Sequence, residues 1–182
     1  MVFRAIIAAL TLALAACTTT PTAMLPSIDQ VQYRIGAGDK LSLTVFREET
    51  LSGEFQVNEA GLLSLPLVGD IKASGKTVPE FRDDLTMLLG SEFVRDPRVT
   101  VNVASYRPVY VLGEVEQPGE YPYTERMTIY ALVAKAGGFT YRANQTVAFI
   151  RHENEAEERA YSLTSGGAVM PGDTIRFAQR YF

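Results

Sequence analysis

The spacing of apolar residues changes several times along this chain, and each change marks an element. Leu41, Leu43 and Val45 alternate with Ser42, Thr44 and Phe46. Period two with a β-branched member predicts a strand with one buried face. Residues 57–62 read as two strand ends around a short loop, with Gly61 supplying a positive φ. Residues 65–71 are apolar but interrupted by Pro66 and Gly69, which predicts one edge or irregular strand. The period then lengthens. Phe81, Leu85, Leu88 and Leu89 form one helical stripe. Thr77 and Glu80 stand at capping-box spacing ahead of it, Pro79 suits the first turn, and Gly90 is the expected stop. Val99, Val101 and Val103 return to alternation, so residues 33–105 predict a compact α+β unit.

A second unit follows the same logic over residues 106–178. Val109, Tyr110, Val111 and Leu112 predict a strand ending at Gly113. Gln117-Pro118-Gly119-Glu120 predicts a type II turn. Thr128 caps a helix lined by Ile129, Leu132, Val133 and Ala136; Lys135 favours its C-terminal end and Gly137-Gly138 closes it. Val147, Phe149 and Leu163 belong to later strands, and Pro171-Gly172-Asp173 turns the chain into Ile175-Arg176-Phe177. One echo joins the units. Gly38-Asp39-Lys40-Leu41 and Gly172-Asp173-Thr174-Ile175 are both Gly-Asp turns feeding an apolar strand residue. Gly supplies the unusual backbone angles, and Asp is expected to bond the amides of the following turn. Neither is a phosphate loop.

The N-terminus has a different pattern. Arg4 precedes an apolar run over residues 5–16, broken only by Thr11, that stops at Cys17. Such a segment is a secretory signal, too short for a membrane span. Leu14-Ala15-Ala16-Cys17 resembles the bacterial lipobox. That resemblance implies removal of residues 1–16 and a diacylglycerol thioether on Cys17, which would anchor the protein in a membrane. Thr18 follows, rather than the Asp that marks inner-membrane retention, so the implied destination is the periplasmic face of the outer membrane. Residues 17–32 then read as the lipidated cysteine and a polar, Pro-containing, flexible tether.

Composition narrows the chemistry. The 182 residues are 47% hydrophobic and 21% charged, with 17 Lys+Arg against 21 Asp+Glu. The net charge of −4 and the absence of basic runs argue against nucleic acid. One Cys and one His exclude an intramolecular disulfide framework and a zinc site built from the usual ligands. No cofactor motif is present. His152 lies in a run of charges and reads as part of a solvated hairpin loop rather than as a general base. Glu114/Glu116 and Asp83/Asp84 are carboxylate pairs without a cleft or a nucleophile beside them, so no enzyme is expected. Tyr106, Arg107, Tyr121, Tyr123 and Arg142, with Tyr110 and Tyr141, are candidate polysaccharide contacts, because aromatic faces stack on sugars and Arg pairs with uronates. The same tyrosines also suit ordinary strand packing with wet hydroxyls.

The ordered motifs resemble a known family. Tyr33-Arg34-Ile35-Gly36-Ala37-Gly38-Asp39-Lys40-Leu41, the Val57-Asn58-Glu59-Ala60-Gly61 turn, Leu65-Pro66-Leu67-Val68-Gly69 and Asp96-Pro97-Arg98-Val99 resemble a polysaccharide export domain. Val111-Leu112-Gly113-Glu114-Val115, Pro118-Gly119, Ala136-Gly137-Gly138-Phe139 and Pro171-Gly172-Asp173 resemble one SLBB (soluble-ligand-binding β-grasp) domain. The resemblance implies an α+β fold of two small domains at 33–105 and 106–178, with a tail at 179–182. It implies a lipid-anchored component of capsular or exopolysaccharide export. Its expected partners are the polymer, further copies in a ring, and an inner-membrane polysaccharide co-polymerase. Long family members end in a pore-lining amphipathic helix. Residues 178–182 are too few to span a membrane as helix, so a separate outer-membrane β-barrel is the further expected partner. The alternative reading is an envelope adaptor that binds a glycan or soluble ligand without forming a conduit.

Overall fold

The computed structural model describes residues 22–153, 155–163 and 167–180. The expected lipidation site Cys17 and the expected signal segment lie outside them. The chain is α+β, with two hydrophobic cores.

The first core belongs to the N-terminal unit. Strand β2 (Lys40–Val45) lies between β3 (Gly53–Gln56) and β6 (Val99–Ser105), antiparallel to both. Leu41, Leu43 and Val45 point inward, as their alternation requires, and meet Val101 from β6. Helix α1 (Val78–Glu92) lays Phe81, Leu85 and Leu89 on this core. The capping box forms as expected: Glu80 N–H donates to Thr77 Oγ1, and Thr77 N–H donates to the Glu80 carboxylate at 2.7 Å. The backbone hydrogen bond to Thr77 holds the Glu80 carboxyl below its ordinary range.

Two local expectations need correction. Residues 65–71 are not one strand. They span a hairpin between β4 (Leu62–Leu65) and β5 (Gly69–Lys72), whose tip carries Leu67 at φ 65° and Gly69 at φ 86°. Pro66 and Gly69 mark the turn rather than breaks in a single strand. Helix α1 also runs past Gly90 to Glu92, because glycine in a right-handed turn lowers helix stability without ending it.

The second core belongs to a six-stranded sheet. Its order is β1 (Ala23–Met24), β10 (Arg159–Ser162), β9 (Val147–Arg151), β11 (Thr174–Phe177), β7 (Val109–Gly113) and β8 (Gly119–Tyr121). The inner pair β7/β11 is parallel. Helix α2 (Ile129–Lys135), capped by Thr128, covers one face with Ile129, Leu132 and Val133. Gly113 turns the chain at φ 83°, against the carbonyl of Phe177. The type II turn expected at residues 117–120 does not form. Gly119 and Glu120 open β8 instead, opposite Val111 and Tyr110, so the ladder claims the residues the turn would have used.

The largest departure lies upstream. Residues 17–32 read as tether, yet β1 adds to the edge of the six-stranded sheet, parallel to β10 through Ala23↔Tyr161 and Met24↔Ser162. Leu25 is 4% exposed within the second core, and Ala168 N–H donates to the Pro26 carbonyl. The C-terminal sheet therefore incorporates residues that precede the N-terminal unit. A two-residue strand has no measurable period, which is why the pattern missed it.

Candidate functional site

The two Gly-Asp turns have one geometry. In residues 36–39, Asp39 N–H donates to the Gly36 carbonyl, while Gly36 N–H donates back to Asp39 Oδ2 at 2.8 Å. In residues 170–173, Asp173 N–H donates to the Met170 carbonyl, and Met170 N–H donates to Asp173 Oδ2, again at 2.8 Å. Gly38 and Gly172 hold the third position at φ 90° and 85°, where a type II turn needs glycine. Each Asp thus closes its own turn backwards, onto the amide three residues before it, rather than onto the turn that follows.

That closure buries both carboxylates, at 0% and 1% exposure. A buried charge needs partners. For Asp39 the partner is Arg107, from the three-residue link between β6 and β7. Its backbone N–H donates to Asp39 Oδ1, and its Nη1 donates to Oδ2, both at 2.7 Å. Tyr33 Oη donates to the same carboxylate at 2.5 Å. Burial, and then this hydrogen bond, push the Tyr33 hydroxyl far above its ordinary range. For Asp173 the partner is His152, whose Nδ1 lies 2.7 Å from Oδ1, with Tyr161 Oη 3.3 Å from Nε2. The hydrogen bond to Asp173 raises the imidazole above its usual 6.5.

Arg107 also links the two turns. Its Nε pairs with Glu153 at 2.7 Å. A side chain at Gly36 would strike the guanidinium, and one at Gly172 would crowd it. Gly172 N–H donates to the Pro108 carbonyl, and Tyr110 N–H donates to the Asp173 carbonyl. Tyr106 sits edge-on between Tyr33 and Tyr123, with ring centroids 4.9 and 5.2 Å away. The result is a charged and aromatic joint between the export-like unit and the sheet unit.

The candidate sugar contacts divide accordingly. Tyr106, Arg107 and Tyr123 meet at this joint, and Arg107 is engaged by two carboxylates with its side chain 14% exposed. Tyr121 lies elsewhere, on β8, with its hydroxyl donating to the Gln117 carbonyl. Arg142 is also apart. It stacks over Tyr141, 5.2 Å from the ring centroid, and its Nε donates to the Tyr141 oxygen. Tyr141 is 76% exposed and Tyr110 is partly exposed on the outer face of β7. His152, read as solvated, is instead half-buried, because Asp173 from the 170–173 turn and Tyr161 from β10 converge on it. Asp39 and Asp173 were visible as a repeated motif, but their burial depends on partners 68 and 21 residues away, Arg107 and His152.

Among the described residues, no group of three His, Cys, Asp or Glu side chains is arranged to hold a metal. No helix among them is long and apolar enough to cross a membrane, which says nothing of strands. The joint offers paired charge and edge-packed aromatic rings between the two units.

A three-stranded α+β unit joined by a charged link to a six-stranded sheet module defines a two-domain α+β protein, and comparison with known proteins assigns a family to each part. Residues 28–104 match the family described as polysaccharide biosynthesis/export protein, and residues 108–171 match the SLBB domain. The chain belongs to the polysaccharide export family, with an SLBB domain behind the export domain. It is similar to the exopolysaccharide production protein ExoF of Rhizobium meliloti (strain 1021), 38% identical over 172 residues that cover 87% of this chain and 40% of ExoF. The EPS I polysaccharide export outer membrane protein EpsA of Ralstonia solanacearum is 34% identical over 132 residues, covering 58% of this chain and 35% of EpsA. The polysialic acid transport protein KpsD of Escherichia coli is 27% identical over 108 residues, covering 58% of this chain and 19% of KpsD. The chain therefore spans at most 40% of the length of these curated relatives.

Proposed function

We propose that this protein is a non-enzymatic component of exopolysaccharide or capsular polysaccharide export, held by a lipid on Cys17 at the periplasmic face of the outer membrane. The observation that carries this reading is the pair of family matches in order, export domain then SLBB domain, across residues 28–171. The names of ExoF, EpsA and KpsD all point to production or transport of a surface polysaccharide. Copies of the chain assemble head to tail around the polymer path, and an inner-membrane co-polymerase meets them along the axis. A heterologous interface of this kind closes into a ring when its rotation allows. Contact with the polymer is weak and multiple, since a conduit must release what it binds. The exposed Tyr141–Arg142 pair, together with Tyr110, supplies aromatic and cationic surface suited to such contact.

Deletion of the gene tests the reading. The expected result is loss of the secreted or surface polysaccharide with polymer retained inside the cell. Normal secretion in the deletion strain would overturn export. A saturable complex with a small oligosaccharide in calorimetry, with secretion intact, would support the adaptor reading instead.

A further inference from the structure

We infer that the β1–β10 edge of the six-stranded sheet is the surface this molecule turns toward the lipid bilayer. The inference rests on the reading of Cys17 as the lipid anchor.

The argument is one of reach. An extended chain spans at most about 3.5 Å per residue. Had the chain been free as far as Tyr33, its sixteen steps from Cys17 would reach about 55 Å. That length would let either domain, in any orientation, lie against the membrane. The docked segment removes that freedom. Ala23 and Met24 are hydrogen-bonded to β10, and Leu25 is 4% exposed in the core beside Gly167, where a side chain would overlap it. The first described residue, Thr22, is five steps from Cys17, a reach of about 18 Å.

The far side of the sheet lies beyond this range. β8 is the opposite edge, five strand spacings from β1, or about 24 Å away at about 4.8 Å each. Because β1 is parallel to β10, the chain from the anchor enters beside the start of β10, next to the loop before Arg159. The chemistry of that edge fits a headgroup surface. Met24 is 71% exposed there. Two acids of the neighbouring loop are already paired, Glu155 with Arg159 and Glu158 with Arg176, so the loop does not confront lipid phosphate with its full formal charge.

The test uses the full-length lipidated protein in vesicles that carry a small fraction of headgroup-labelled acceptor lipid. One donor fluorophore is placed at Glu157→Cys, beside the β1–β10 edge, or at Glu120→Cys, on β8. Both side chains are exposed, so neither substitution disturbs a core. Energy transfer at position 157 is expected to be at least twofold that at 120. A twelve-residue Gly/Ser insertion between Pro21 and Thr22 leaves every described contact in place and is expected to bring the two values together. Equal transfer without the insertion, or stronger transfer at 120, overturns the orientation. So does an insertion that leaves the two values apart. Cys17→Ser runs in parallel. If vesicle binding is the same with and without Cys17, the anchor reading fails and the orientation falls with it. If binding depends on Cys17 but transfer is uniform, the orientation alone fails.

Discussion

Arg107 is a consequential side chain, because the Asp39 carboxylate has no exposure to water and is paired with it. Removing one partner of a buried ion pair leaves an uncompensated charge, which costs about 3–5 kcal/mol. Arg107→Ala is therefore expected to lower stability by about that amount in urea denaturation, whereas Arg142→Ala, at an exposed pair, should change it by less than about 1 kcal/mol. His152 gives a pH signature. Its hydrogen bond to Asp173 raises its folded-state pKa, with Tyr161, Glu155 and Arg159 as the other groups facing it. A raised imidazole contributes stability that is full below its unfolded value of about 6.5 and is lost as pH climbs through the folded value. Thermal midpoints measured from pH 5 to 9 should show this alkaline loss in the wild-type protein. His152→Gln should flatten it, and equal slopes for the two proteins would remove His152 as the cause.

At the scale of elements, the N-terminal caps of the helices are where sequence and structure agree best. Thr77 caps α1 through its hydroxyl and receives Glu80 in return. Thr77→Ala should cost about 1 kcal/mol, read as a shift in the denaturation midpoint with an unchanged slope. Such caps were legible because they need only residues three apart. Strand β2 was legible for a similar reason, since Leu41, Leu43 and Val45 all answer to one face. What pattern could not supply was pairing at a distance. The repeated Gly-Asp turns were plain in the sequence, but nothing local shows that Arg107 and His152 complete them, or that both carboxylates end in the interior. β8 was lost to a turn motif because its ladder partner, β7, outbids the isolated preference of Pro118-Gly119. β1 was lost because its two residues, Ala23 and Met24, carry no period.

At the scale of the molecule, the chain does not lay down its domains one after the other. Its described residues start on the C-terminal sheet, leave to build the export domain, and return through Arg107. The second core is therefore completed by Leu25, from outside the 106–178 span that the motifs mark. This arrangement ties the two domains together twice, once at the joint and once through the docked segment, and it makes a prediction that separates the cores. Leu25→Ala removes a side chain that is 4% exposed and should cost about 2–5 kcal/mol. The loss should not be shared evenly. Native-state hydrogen exchange is expected to show lower protection in β9, β10 and α2, which contribute to the same core as Leu25, and little change in β2 or the middle of α1, whose core lacks it. A uniform loss across both units would mean that they unfold as one cooperative body. Protection left intact around α2 would mean that the N-terminal segment adds no stability to the sheet it joins, and the short reach proposed from Cys17 to the sheet would then have no structural basis.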